Sequence, residues 1–397
     1  MDGKRFLHSI RLQNILSFGP DTPELPLEPL NVLIGPNASG KSNLIEALSL
    51  LAAAPRNLQE TIRKGGGIHE WLWKGAGQLG TASLAVTVKS PEGSLPLRYL
   101  LSFTETDTSF DLQEELLEDQ PCTDSNEESF SYYLYKEGKA SISAVTEGKK
   151  LRSRRRLRGL RRNRSILSQR SDPDTYPELT YLGDQFDVIT FYREWDLGPN
   201  TLARQPQDVD LEQEYLLEDA SNLALVMNYL SNRPGVKRRI LDRFQVFNSF
   251  VEDIVSSIRG QRVQLYFHET SLRHPLPATR ISDGTLRYLC LLAILCHPEP
   301  PPVTCIEEPE LGLHPDIIPQ VAKLLVEAST RTQLFVTTHS DILVDALSHI
   351  PESIIVCEKS NGATQLQRLD AQELKPWLEK YRLGDLWTSG HIGGNRW

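Results

Sequence analysis

The segment Gly35-Pro-Asn-Ala-Ser-Gly-Lys-Ser42 constrains this 397-residue chain more than any other. It fits the pattern GxxxxGK[ST]. It also lies between Asn31-Val-Leu-Ile34, a short apolar run that reads as a buried strand, and Asn43 to Ala54, which reads as a helix with Leu44, Ile45, Leu48 and Leu51 on one face. A glycine-rich turn in that position presents backbone N–H groups at a helix start, where the helix dipole favours negative charge. Phosphate oxygens suit such a loop, with Lys41 reaching the β and γ positions and Ser42 ligating Mg2+. Gly35, Asn37, Gly40, Lys41, Ser42 and Asn43 are therefore the candidate nucleotide-binding residues, with ATP and Mg2+ the expected ligands.

Three further segments carry groups that nucleotide hydrolysis needs. Val303-Thr-Cys-Ile306 reads as a strand ending in Glu307-Glu308, which places Glu307 in the magnesium shell and Glu308 on the attacking water. Ile281-Ser282-Asp283-Gly284-Thr285 precedes an apolar helix, so the Ser282 hydroxyl and the Gly284 amide form a donor cluster suited to a γ-phosphate. Thr337-Thr338-His339-Ser340 follows the apolar run Leu334 to Val336 and puts an imidazole at the same sheet edge as Glu308. Each segment also has a plain explanation: solvated acids at a strand end, a Ser/Asp helix cap and a structural histidine. Between the two apolar runs, a helix starting at His314-Pro315-Asp316 presents Ile317, Val321, Leu324, Leu325 and Ala328 on one face. Strand, helix and strand in this spacing predict a right-handed parallel βαβ unit.

Taken in order, phosphate loop, SDGT, IEEPE and TTHS resemble the ATP-binding-cassette ATPases of the SMC/RecF-like branch. Ser282 to Glu307 is 25 residues and Glu308 to His339 is 31, both close to that branch. SDGTLRYLCLLAIL, IEEPELGLHP, FVTTHSDIL and the ending YRLGDLWTSGHIGGNRW are similar to stand-alone prokaryotic AAA-family ATPases related to the ATPase half of the overcoming-lysogenization-defect nucleases. The likeness covers residues 5–103 and 181–397.

The resemblance implies an α/β P-loop NTPase with an ABC-type head, a mixed sheet with helices, a helical subdomain and a charged insertion. It implies a homodimer enclosing two ATP molecules, with Ser282 and Gly284 acting in trans. Lys41, Glu308 and His339 would be catalytic in cis, and residues 309–315 would couple the two sites. Glu307 stands where Asp is usual, which implies slower hydrolysis or altered metal geometry. Asp283 stands where a second Gly is common, and the Q-loop glutamine has two candidates, Gln169 and Gln185. Only 58 residues follow His339 and they hold no second acidic cluster, so no nuclease domain is expected in this chain.

With 39% hydrophobic and 24% charged residues the composition is that of a folded globular chain. The longest apolar stretch, Tyr288 to Cys296, is nine residues, whereas a membrane span needs about 20. The five cysteines form no CxxC pair and the N-terminus has no secretion-signal core, so a reducing cytoplasm without structural zinc or disulfides is expected.

A net charge of -9 argues against a surface that coats nucleic acid as a whole. Charge is segregated, however: residues 105–128 hold ten acids and no base, and residues 149–170 hold eleven bases and no acid. Two readings stay open. The blocks form a solvated insertion whose charges attract each other, or the arginines bind phosphates, with Arg154, Arg155, Arg156, Arg161 and Arg162 touching DNA backbone without reading bases.

Residues 211–258 read as helical, with Leu223, Val226, Leu230, Ile240, Leu241, Phe244, Phe247, Val251, Ile254, Val255 and Ile258 at three- and four-residue spacing, too short for coiled-coil arms. The expected organisation is an N-terminal lobe over 1–103, a charged insertion over 104–180, a helical subdomain over 181–275 and a C-terminal lobe over 276–397. The tail from Trp387 is expected to dock on the core. The expected function is an ATP-hydrolysing head that dimerises around ATP and gates DNA contact, in DNA maintenance or antiphage defence. The alternative is an ATP-gated module that controls a separate effector, a nuclease or toxin, without DNA.

Overall fold

The structure is a computed structural model that describes residues 3–75, 80–91, 95–107, 109–120, 130–146, 149–161 and 163–394, with backbone alone for 146 and 149–154. Strands β1 (Leu7–Gln13) and β2 (Leu25–Pro26) precede β3 (Leu30–Ile34), which feeds helix α1 (Lys41–Ala53) through the glycine loop. After helices α2 (Leu58–Lys64) and α3 (Ile68–Trp71) come β4 (Ala82–Val88), β5 (Leu97–Thr106), β6 (Ser109–Asp119), β7 (Ser131–Lys136), β8 (Lys139–Thr146) and β9 (Lys149–Leu157). With β1 and β2 they make an eight-stranded antiparallel sheet in the order β2-β1-β4-β5-β6-β7-β8-β9.

The chain then runs through α4 (Pro177–Asp187), β10 (Thr190–Tyr192), β11 (Gln207–Asp208), α5 (Leu223–Ser231), α6 (Pro234–Phe247), β12 (Val251–Arg259), β13 (Arg262–Glu269) and β14 (Leu276–Pro277). Next are α7 (Asp283–Leu295), β15 (Val303–Glu307), α8 (Ile318–Ser329), β16 (Gln333–Thr337), α9 (Asp341–Ala346), β17 (Ile354–Ser360), β18 (Ala363–Arg368), α10 (Ala371–Leu378) and α11 (Leu383–Thr388). A second sheet, β10-β15-β16-β3-β17-β18, is parallel except for β18. The predicted βαβ unit is β15-α8-β16 within it.

Successive side chains of a strand point to opposite faces, and this central sheet uses both faces as core. Val32, Ile34, Ile306, Leu334, Val336, Ile354 and Val356 belong to one buried cluster with helices α5 to α9. Leu33, Val303, Cys305, Phe335, Ile355 and Cys357 belong to another, with α1, α4 and the eight-stranded sheet. Burial on both faces is why these strands read as unbroken apolar runs.

One expectation fails here. Residues 251–258 are not helical but form most of β12, paired antiparallel with β13. Their apolar positions are β-branched Val and Ile, which favour strands, and the Arg259-Gly260-Gln261-Arg262 turn, with Gly260 at φ +62°, closes a hairpin that a helix could not make.

The boundary expected at 103/104 falls inside β5 and that at 180/181 inside α4, so the segment 104–180 continues the eight-stranded sheet. Within it, Glu118 pairs with Arg98 and Glu114 with Lys136. That block forms β9, which pairs with β8 alone at the end of the sheet. Arg155, Arg156 and Arg161 are exposed, whereas Arg162 and the Arg154 side chain lie outside the described residues, as does Cys122.

Two buried polar groups tie these layers together. Gln333, at the start of β16, accepts from the Phe6 and Leu7 amides at 3.2 and 2.8 Å and donates to the Leu7 and Glu28 carbonyls at 2.8 and 3.0 Å. Glu115 on β6 is fully buried and accepts from the Tyr99 hydroxyl (2.7 Å), the Ser165 hydroxyl and the Ile166 amide (2.9 Å), so it fastens the turn that follows the arginine block.

Replacing Gln333 with Leu keeps the volume but removes four hydrogen bonds, of which only the one to the Glu28 carbonyl is backed up by Asn31, and should lower unfolding free energy by on the order of 3 kcal/mol, read from the denaturant midpoint. Burial outweighs the three donors at Glu115 and raises its carboxyl from 4.5 to about 7. The folded state then holds a proton that the unfolded state releases, so this group's contribution is full below about pH 4.5 and is lost as pH rises through about 7. Glu115→Gln mimics the protonated form. Its stability relative to the wild type should therefore rise by roughly 2–3 kcal/mol between pH 4.5 and pH 8, as chemical denaturation at the two pH values would show.

Candidate functional site

Parallel register brings the predicted residues to one edge. Glu307 of β15 is level with Thr337 of β16, and Thr337 with Leu33 of β3. The phosphate loop, Glu307-Glu308 and Thr338-His339 therefore leave the sheet side by side at the carboxyl ends of its strands, where open α/β sheets bind ligands.

Glycine is required twice in the loop. Gly35 and Gly40 have φ of +144° and +104°, and a Cβ would collide with the Cys357 carbonyl oxygen at the first and with Thr364 Oγ1 at the second. The hydroxyl of Ser39 is buried and has no partner, while Asn37 is exposed. Lys41 is buried at the start of α1 and donates to the Gly35 and Pro36 carbonyls at 2.8 and 3.1 Å. Burial pulls its amine below the ordinary value, against the pull of Cys357, Glu308 and Glu307. Asn43 follows on the first turn of α1.

Ser42 donates to Glu307 at 2.6 Å, so the expected metal pair is already in contact. A hydroxyl and a carboxylate are hard oxygen donors of the kind Mg2+ takes alongside phosphates and water. Among the described residues no group of three or more His, Cys, Asp or Glu is arranged to hold a metal. The loop, Lys41, Ser42 and Glu307 fit MgATP.

Glu308 has φ +45°, a left-handed backbone that costs a non-glycine residue energy and clusters at functional sites. Its amide is fixed by the Thr337 carbonyl at 3.0 Å. His339 Nε2 is 3.7 Å from Glu308 Oε1, and burial and the Lys41 charge lower the imidazole's pKa. Glu310 accepts from the Thr338 hydroxyl and from the His339 amide (3.0 Å) and so orients this loop.

The Ser282 segment caps α7 through a bond from the Thr285 amide at 3.2 Å. Ser282 is exposed, and a Cβ on Gly284 would meet the Gly312 carbonyl oxygen at 2.8 Å, so SDGT packs on the loop 309–315. Asp283 is paired with Arg204, a buried guanidinium that also donates to the Leu197, Ala278 and Ile281 carbonyls. The departure at Asp283 therefore has a partner of its own.

Gln169 bonds to the backbone of Arg161 and Arg164, and Gln185 stands near Pro302, at the opposite strand end from Glu307. Neither lines the cleft of about 800 Å³ in front of Ser42 and Glu307. Arg193, Glu218 and Asp219 do, and sequence reasoning missed them. For Arg193 the available signal was its place directly after the apolar run Ile189 to Tyr192. The tail docks as expected: Trp387 is buried, its indole donates to the Gly394 carbonyl at 3.2 Å, and a Cβ on Gly394 would sit 3.4 Å from Gly35 Cα.

A protein family described as "AAA domain, putative AbiEii toxin, Type IV TA system" matches residues 30–345. The chain belongs to this family. It is 33% identical over 98 residues to the chromosome partition protein Smc of Mycolicibacterium paratuberculosis, a match that spans 24% of this chain and 8% of that protein. A solved Smc head bound to the C-terminal winged-helix domain of ScpA is similar in structure, with TM-score 0.58 and 12% identity, over 93% of this chain and 99% of that one. So is a Pyrococcus furiosus Smc head with an extended coiled coil bound to the C-terminal domain of ScpA, with TM-score 0.55 and 13% identity, over 94% and 99%. The fold is that of an SMC head. No helix among the described residues is long and apolar enough to cross a membrane.

Gly284→Ala should push the 309–315 loop aside at a cost of about 1–3 kcal/mol. Amide hydrogen exchange at Leu311 and Leu313, which bond to the Glu308 and Glu310 carbonyls, should quicken while the eight-stranded sheet is unchanged.

Proposed function

We propose that this protein hydrolyses ATP as one half of a homodimer and uses the cycle to gate contact with DNA, in DNA maintenance or antiphage defence. The observation that carries it is the convergence of Lys41, Ser42, Glu307, Glu308 and His339 at one sheet edge, with Glu308 held in a strained backbone. Loop amides and Lys41 bind the phosphates, and Lys41 exchanges its two carbonyl partners for phosphate oxygens. Bound Mg2+ supplies charge neutralisation at the transferred phosphoryl group, held by Ser42 and Glu307. Glu308 accepts a proton from the attacking water, and a neutral His339 donates to the γ-phosphate, which its lowered pKa favours. Ser282, exposed at the cap of α7, and Gly284, half-buried on its first turn, serve the nucleotide of the partner subunit.

The arginine strand β9 is the basic surface for DNA backbone, at the end of the sheet, where its outer edge pairs with no other strand among the described residues. A second reading is an ATP-gated module that holds a separate effector protein. It is favoured by the solved Smc heads, whose similar fold is bound to ScpA domains.

Lys41→Ala should abolish ATP turnover. Glu308→Gln should cut it by about 100-fold or more and accumulate an ATP-bound dimer on size-exclusion chromatography. Duplex DNA should stimulate the wild type, less at high salt. Turnover that needs Lys41 but ignores DNA at every salt concentration would favour the effector-holding module, and a Lys41→Ala protein as active as the wild type would overturn both readings.

A further inference from the structure

Arg193 belongs to none of the motifs, yet it stands at the metal end of the cleft. Strand β10 pairs in register with β15, Tyr192 opposite Ile306, so the next residue on each strand brings Arg193 beside Glu307. Its Nε is 3.8 Å from Glu307 Oε1, is buried, and donates to no acceptor. The guanidinium carbon lies 5.5 Å from the Phe191 ring centre, which supports it from behind. The other ionisable residues lining this cleft are Glu194, Glu218, Asp219 and Glu307, so among the described residues Arg193 is its one lining cation. Lys41 cannot take that part without phosphates, because it is turned onto the loop carbonyls.

The contact with Glu307 is loose. A charge-assisted N–H···O bond is about 2.7–2.9 Å, and here the separation is an ångström longer with a donor left over. Such an arrangement suits a group that must leave. Once Glu307 and Ser42 hold a divalent cation, two positive charges meet at Glu307 and the guanidinium is repelled. The acceptors that arrive with that cation are phosphate oxygens, for which a planar guanidinium has matched geometry.

We propose that Arg193 is a nucleotide-state switch, paired with Glu307 in the empty site and transferred to the terminal phosphate of ATP when Glu307 takes Mg2+. This rests on reading the cleft as the MgATP site. In the empty state Arg193 keeps Glu307 from standing uncompensated among its acidic neighbours. In the loaded state it distinguishes ATP from ADP, because only ATP offers the terminal phosphate.

Equilibrium binding of ADP and of the non-hydrolysable analogue AMP-PNP to the full chain tests this, each with Mg2+ and with EDTA. Arg193→Ala should weaken Mg-AMP-PNP by about tenfold while MgADP stays within about twofold. With EDTA the variant and the wild type should bind AMP-PNP alike, since without the metal Arg193 stays on Glu307. Arg193→Lys should restore only part of the Mg-AMP-PNP affinity, a point charge replacing a fork. Thermal melting checks folding, and Arg193→Gln, which keeps length and polarity, replaces the alanine variant if that one fails to fold. Equal losses for ADP and AMP-PNP, or a loss that persists in EDTA, would reduce Arg193 to a structural counter-ion, and unchanged binding throughout would also overturn the switch. Lys41→Ala binding both nucleotides like the wild type would instead remove the nucleotide reading itself.

Discussion

The side-chain amide of Gln333 joins the first strand of the antiparallel sheet to the middle of the parallel one, and every later feature of the site is placed relative to that joint. Its oxygen accepts from the Phe6 and Leu7 amides and its nitrogen donates to the Leu7 and Glu28 carbonyls, so all four backbone groups are satisfied in a fully buried position. Asn31 repeats the device one strand over, donating to the Glu28 and Leu334 carbonyls and accepting from the Glu28 amide and from Arg368. A buried amide with every hydrogen bond made specifies one arrangement, because each alternative leaves polar groups unmet. Both amides lie toward the amino-terminal ends of β3 and β16. The rigid end of the sheet is thus opposite the end that carries phosphate-binding loops, and the loops are free to respond to ligand.

At the carboxyl edge the balance is electrostatic. Glu307, Glu308 and Glu310 crowd the strand ends, and each has a neighbour: Glu307 has Ser42 and Arg193, Glu308 has His339, and Glu310 has Thr338 and the His339 amide. The cations answer them only in part, since Lys41 is turned back to the loop and Arg193 is held off at 3.8 Å. A metal and phosphates supply the charge of each sign that this set lacks. The left-handed backbone at Glu308 persists because the Thr337 carbonyl fixes its amide and strand pairing fixes the residue before it.

The phosphate loop, the acidic strand end, the βαβ unit and His339 could be read from the sequence because each is local: a few consecutive residues with a period and a turn. Expectation failed where long-range pairing decides. Residues 251–258 show helical spacing, yet pairing with β13 outweighs it, and only the β-branched content hinted at this. Glu118 and Glu114 meet Arg98 and Lys136 on the strands either side of β6, pairings that no local pattern announces. Arg204 and Gln333 could not be singled out, since nothing local marks a residue whose partners are 79 and more than 300 positions away, and Arg193, 114 positions from Glu307, had only its place after a short strand to mark it.

One chain of contacts links the exposed cap of α7 to the hydrolytic residues. Gly284 touches the Gly312 carbonyl, and Gly312 lies between Leu311 and Leu313, whose amides bond to the Glu308 and Glu310 carbonyls. Glu310 in turn holds Thr338 and His339. On the function proposed above, a ligand pressing on Ser282 and Gly284 from outside would meet the loop that bonds to the Glu308 and Glu310 carbonyls. Asp283 strengthens the link at its outer end, because Arg204 anchors it to the carbonyls of Leu197, Ala278 and Ile281 and keeps the α7 cap from yielding on its own. With that cap fixed, displacement at Gly284 is taken up by the 309–315 loop. The glycine pair is thus the point where the α7 cap and this loop meet most closely, and a methyl at Gly284 would press on a loop whose next bonds are to the Glu308 and Glu310 carbonyls.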